Sequence, residues 1–115
     1  MKKESISITT LAAGADSARL LIEGQLIIRN ASTIKSELIP ALNSSQNLEI
    51  VFKNITKMDV AVLQLIIALQ KSAAVLKKKL SLDIELTDYI KSVLQNSGLE
   101  KLLITNFKPR VNGIH

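Results

Sequence analysis

Polar and apolar positions alternate at the start of the chain. Ser5-Ile6-Ser7-Ile8-Thr9 predicts a half-buried strand. Turn residues follow in Ala13-Gly14-Ala15-Asp16-Ser17, and Arg19 to Glu23, with Leu20, Leu21 and Ile22, predicts a second strand antiparallel to the first and ended by Gly24. The period then lengthens. Ala31, Ile34, Leu38 and Leu42 share one helical face behind a capping Asn30 or Ser32, and Pro40 is expected to kink or shorten the last turn. A polar loop, Asn43-Ser44-Ser45-Gln46-Asn47, leads into Leu48-Glu49-Ile50-Val51-Phe52, which reads as a strand buried on both faces. A helix from about Val60 to Lys77 comes next, then an alternating strand, Leu80-Ser81-Leu82-Asp83-Ile84. Thr87 is placed to cap a helix with Ile90, Val93 and Leu94 inward, and Gly98 to end it, with Leu99 touching Leu94. Leu102-Leu103-Ile104 reads as a last short strand or a docking segment, and 106–115 as a polar, flexible tail.

The order is β-β-α-β-α-β-α. Strands that alternate with helices need crossover connections, so the sheet is expected to be parallel after an opening hairpin. The fold class is α/β: one domain over residues 1–115, a mixed, mostly parallel sheet flanked by helices.

The helix from Val60 is more apolar than one buried face requires. Val62, Leu65, Ile66, Leu69, Ala73 and Leu76 form one stripe at 3.6 periodicity, and Val60, Leu63, Ile67 and Ala74 a second, roughly opposite one. The second stripe is explained either by a neighbouring helix, the one starting near Asn30, or by an exposed contact surface. Just before this helix stands Asp59. Its carboxylate is placed to accept from an orphan N–H of the first turn and to complement the helix dipole, a contribution of about 1 kcal/mol.

Composition narrows the chemistry. The chain has 115 residues, is 47% hydrophobic and has only three aromatic residues, so the core is aliphatic. It contains no cysteine, which excludes disulfides, thiolate metal sites and cysteine nucleophiles. The start, MKKESISITT, lacks the apolar stretch of a secretory signal, and the greasy run from Val60 to Leu69 is far short of the roughly 20 residues of a membrane span. A cytoplasmic protein without direct membrane insertion is the expectation. The net charge of +5 comes from scattered lysines apart from Lys77-Lys78-Lys79, with no interleaved aromatics, so nucleic acid is not the expected partner and the triplet reads as a helix-end cap. The sole histidine is His115, at the end of the chain, and no catalytic triad, phosphate loop or metal spacing is visible. Asp83, Glu85 and Asp88 read as a solvated strand end rather than a cation site. No enzyme activity, cofactor or metal is expected.

Three segments in this order resemble one family. GQLIIRNASTIKSEL (residues 24–38) looks like the strand-loop-helix that often reads G-E-L-x-x-x-x-A in STAS domains, the fold of bacterial anti-sigma-factor antagonists. KMDVAVLQLIIAL (57–69) looks like their signature, which usually runs Asp-Ser/Thr-x-Gly-Leu, and LTDYIKSVLQNSGLEKLL (86–103) looks like their C-terminal helix. The resemblance implies a non-catalytic regulatory module that binds a protein partner, an anti-sigma factor or kinase-like protein or another signalling protein of the chemotaxis type, with a homodimer as a further option. An accessory subunit of a membrane transport system is the alternative. In the family the Ser or Thr after the aspartate is phosphorylated. Here that position is Val60, so no phosphorylation is expected there, and Val62 stands where glycine is usual. The partner-binding residues implied are Asp59, Val60, Ala61, Leu63, Gln64 and Ile67, with Arg29 and Asn30 in the preceding loop.

Overall fold

The computed structural model describes residues 5–99, 101 and 106–109. Strands β1 (Ile6–Ala13) and β2 (Ser17–Leu26) form the antiparallel hairpin, and β3 (Asn47–Met58), β4 (Lys79–Leu86) and β5 (Asn106–Pro109) follow in parallel, in the spatial order β1-β2-β3-β4-β5. Each parallel step carries one helix: α1 (Ala31–Ser44), α2 (Val60–Val75) and α3 (Asp88–Ser97). An order that never reverses, with right-handed crossovers, sets the helices on one face of the sheet. Burial follows that geometry. Leu20, Ile22, Leu48, Ile50, Phe52, Leu82 and Ile84 are all 5% exposed or less and meet Ile34, Leu38, Val62, Leu63, Ile66, Ile90 and Leu94 from the helices.

The mixed, mostly parallel α/β sheet is as the pattern predicts, and differences lie at element ends. β5 occupies the first four residues of the segment expected to be a flexible tail, while Leu102-Leu103-Ile104 lie outside the described residues. Pro40 does not shorten α1, which runs on to Ser44, because Pro40 sits on the solvent side, where the carbonyl it frees can meet water. Thr87 does cap α3: its Oγ1 accepts from the Ile90 N–H at 3.2 Å, and Gly98 closes the helix in the left-handed conformation.

The lysine triplet turns a corner. The Lys77 and Lys78 N–H groups donate to the Ala74 and Ala73 carbonyls, and Lys77 holds the left-handed position at φ 60°. The Lys78 ammonium reaches across to α1 and donates to the Leu42 and Asn43 carbonyls, 2.7 Å each, so it caps a neighbouring helix rather than its own. Because a side chain at positive φ costs about 1 kcal/mol, Lys77→Gly is expected to raise the urea midpoint by an amount worth up to that figure.

Gly24 does not end β2. The register against β3 shifts on both sides of it, so Asn54 and Thr56 are extra residues on β3. Asn54 adopts φ 52°, its N–H donates to Glu85 Oε1 at 3.1 Å, and its amide donates to Glu23 Oε2 at 2.7 Å. Two insertions restore the parity of the strand, so Met58 faces inward as Phe52 does. The bulged ends of β2 and β3 thereby bring Leu26 and Asp59 together.

Candidate functional site

The C-terminal ends of parallel strands are where α/β sheets place binding sites, because the loops there are free of the sheet's own pairing. Here β2 leads into a single 3-10 turn, Ile28–Asn30, and β3 leads through Asp59 into α2. The Asp59 N–H donates to the Leu26 carbonyl at 2.8 Å, which extends the ladder by one step. The Asp59 side chain makes no capping bond to α2. Its Oδ2 instead accepts from the Ile28 N–H at 2.9 Å, and the Val62 and Leu63 N–H groups are taken by the Asp59 backbone carbonyl. The capping expectation is therefore corrected. The extended Asp59 backbone (φ −90°, ψ 147°) carries the carboxylate sideways to the neighbouring loop, where it finds a backbone donor on the chain leaving β2.

Two further bonds shape the site. Asn30 precedes α1 but makes no capping bond; its Nδ2 donates to the Gln25 carbonyl at 2.7 Å and closes the turn. The Tyr89 hydroxyl accepts from the Met58 N–H at 2.9 Å, which brings the first turn of α3 against the residue before Asp59.

The residues expected to meet a partner divide by burial. Val60, Ala61, Gln64 and Arg29 are exposed, and Asp59 is half-buried. Leu63 (0% exposed), Ile67 (6%) and Asn30 (8%) are inside. Leu63 and Ile67 are thus removed from the contact surface: α2 is covered on two sides because α1 packs beside it over the same sheet. Leu76, placed in the first stripe, is half-exposed at the helix end, and Leu65 is partly buried.

The sequence pattern did not single out two surface residues beside Asp59. Ile28 is 60% exposed and Tyr89 43% exposed, comparable to Val60 at 43%. Ile28 belongs to the aliphatic run Leu26-Ile27-Ile28, beyond the strand expected to end at Gly24, and nothing in that run separates an exposed position from a buried one. Tyr89 was detectable as an aromatic outside the Ile90/Val93/Leu94 face of α3. From Ile28 a shallow groove of about 650 Å³ continues along the outer side of α1, past Ala31 and Lys35 to Ile39 and Pro40. A larger hollow, about 880 Å³, lies at the opposite strand ends, where Arg19 and Glu49 pair at 3.2 Å. No group of histidine and acidic side chains suited to a metal occurs among the described residues, and no helix there is long and apolar enough to cross a membrane.

Solved structures share this architecture. The anti-sigma-factor antagonist SpoIIAA in its unphosphorylated form matches with a TM-score of 0.67 at 13% identity, over 92% of this chain and 90% of that one. The phosphorylated form of SpoIIAA, the Bacillus cell fate determinant, matches with a TM-score of 0.60 at 13% identity, over 92% and 93%. The chain has the STAS fold. No protein-family model matches the sequence, and no curated protein matches it. Asp59 lies at the entry to α2.

The carboxylate bond makes a local prediction. In Asp59→Ala the Ile28 amide is expected to exchange with solvent several-fold faster, as loss of a bond worth about 1 kcal/mol implies, while the Val62 and Leu63 amides stay protected. Asp59→Asn retains an acceptor oxygen and should fall between. Faster exchange at Val62 and Leu63 alone would restore the capping account.

Proposed function

We propose that the chain is a non-catalytic regulatory module of the anti-sigma-factor-antagonist kind, which docks a protein partner through the surface around Asp59. The observation that carries this reading is the group of exposed aliphatic and aromatic side chains, Ile28, Val60 and Tyr89, around a loop that the Asp59 carboxylate holds in place. Large apolar side chains left exposed on the segments that the Asp59 and Tyr89 bonds tie together are suited to burial by a partner. The fold shared with SpoIIAA, an anti-sigma-factor antagonist solved with and without phosphate, supports the same role.

In this reading Val60 replaces the modifiable hydroxyl, so docking is constitutive rather than switched at that position. Incubation with the cognate kinase and ATP should leave residues 59–63 without phosphate, and Val60→Ser should gain it. Phosphate on that segment of the wild-type chain, read by mass spectrometry, would sink the unswitched module. Docking itself is tested with Ile28→Gln, which should keep the wild-type urea midpoint and lose at least tenfold in affinity for the partner. Unchanged affinity would move the interface elsewhere.

A further inference from the structure

The two edges of the sheet are built differently. Among the described residues β5 spans four positions and includes Lys108 and Pro109, the latter a residue without a backbone donor. Short length, lysine and proline are the usual protection of a sheet edge. β1 spans eight residues, ISITTLAA, with neither proline nor charge, and the uncharged stretch covers residues 5–15 in a chain of net charge +5. Its only irregularity is the bulge between Thr10 and Ala12, which limits regular geometry to Ile6–Thr10.

We propose that β1 is a self-pairing edge that joins two copies of this chain into a continuous antiparallel sheet. The register follows from the strand itself. The Gln25 N–H donates to the Ser5 carbonyl at 3.0 Å, so Ser5 faces β2. Antiparallel alternation then turns the N–H and C=O groups of Ile6, Ile8 and Thr10 toward the outer edge. Ile8 is the centre of that regular segment. A two-fold axis beside it pairs Ile8 with the second copy's Ile8 and Ile6 with the second copy's Thr10, which satisfies the edge groups of all three residues.

Side chains agree with this register on both faces. Ile6 and Ile8 are half-buried against the core, and pairing extends the apolar layer across the axis. Ser7 and Thr9 are exposed and become cross-strand neighbours, a favourable hydroxyl pair. A second copy suits this edge better than an unrelated strand, because an uncharged strand gives a charged partner nothing to read, whereas it spares two cationic copies repulsion at the contact. The contact is isologous and closes at two, since the bulge ends it and β5 is a different edge.

Sedimentation velocity over a dilution series should show a concentration-dependent dimer. The double variant Ser7→Lys/Thr9→Lys sets lysine opposite lysine and should be monomeric, and so should Ser7→Glu/Thr9→Glu. Mixing the two should restore a dimer, and at concentrations low enough to keep every chain monomeric the urea midpoints should stay near wild type, since both positions are exposed in the single chain. A wild-type chain that stays monomeric across the series overturns the proposal, as does a dimer that both double variants retain. Failure of the mixture to reassociate overturns the register. None of these outcomes bears on docking at Asp59, which is measured separately.

Discussion

Gly24→Ala is expected to destabilise the protein by about 2–6 kcal/mol, the sum of a left-handed backbone strain of about 1–3 and an overpacking cost of similar size. Gly24 sits at φ 112°, and a methyl group there would lie 2.5 Å from the Ser5 carbonyl oxygen and 3.1 Å from the Ile6 Cα. Both are backbone atoms, and the Ser5 carbonyl is held by the Gln25 N–H. The hairpin cannot yield without opening β1 from β2. The same residue faces the two insertions on β3 that bring Asp59 beside Leu26, so the variant should also expose the Ile28 amide. Gly98→Ala is the control: its φ is 72°, but open space surrounds it, and the expected cost is only about 1 kcal/mol. Urea melts of the pair decide the matter. Equal, small losses would mean that β1 can move away and that the close approach does not constrain the hairpin.

What made Gly24 hard to read explains where the sequence was informative and where it was not. Regular alternation and 3.6 periodicity depend on neighbours in the chain, so the strand centres, the inner face of α1 and the Thr87 cap were all legible. β3 was predicted to end at Phe52 because Lys53, Asn54, Thr56 and Lys57 break the apolar pattern. The strand continues six residues further because bulges absorb the polar positions, and Asn54 tolerates the left-handed turn that a bulge needs. Asp59 was legible as a carboxylate at a helix entry. Its partner was not, since Ile28 lies 31 positions away and offers only a backbone donor, which no residue type advertises. The two-sided apolarity of α2 was visible too, but whether its second stripe meets a helix or solvent depends on the lateral packing of α1.

That packing sets up the other large effect, and the sharpest separation of core from surface. Ile67→Gln is expected to destabilise by about 3–5 kcal/mol. Ile67 is 6% exposed between α2 and its neighbours, so the substitution removes a buried aliphatic and places an amide where no described side-chain polar atom now lacks a partner. Val60→Gln, on the same nominal stripe two turns earlier, should change stability by less than about 0.5 kcal/mol, because Val60 is 43% exposed and glutamine suits a helix better than valine. Both are β-branched aliphatics replaced by the same side chain, and the methylene by which they differ is worth only about 0.8 kcal/mol, so burial sets most of the contrast. Partner affinity should follow the reverse order when measured on folded protein: Val60→Gln weakens it, whereas Ile67→Gln at a temperature where the chain remains folded does not. A small loss of stability at Ile67 would mean that α1 leaves this side of α2 open in solution. The groove that begins at Ile28 would then extend under α1, and the contact surface around Asp59 would be wider than its exposed residues define.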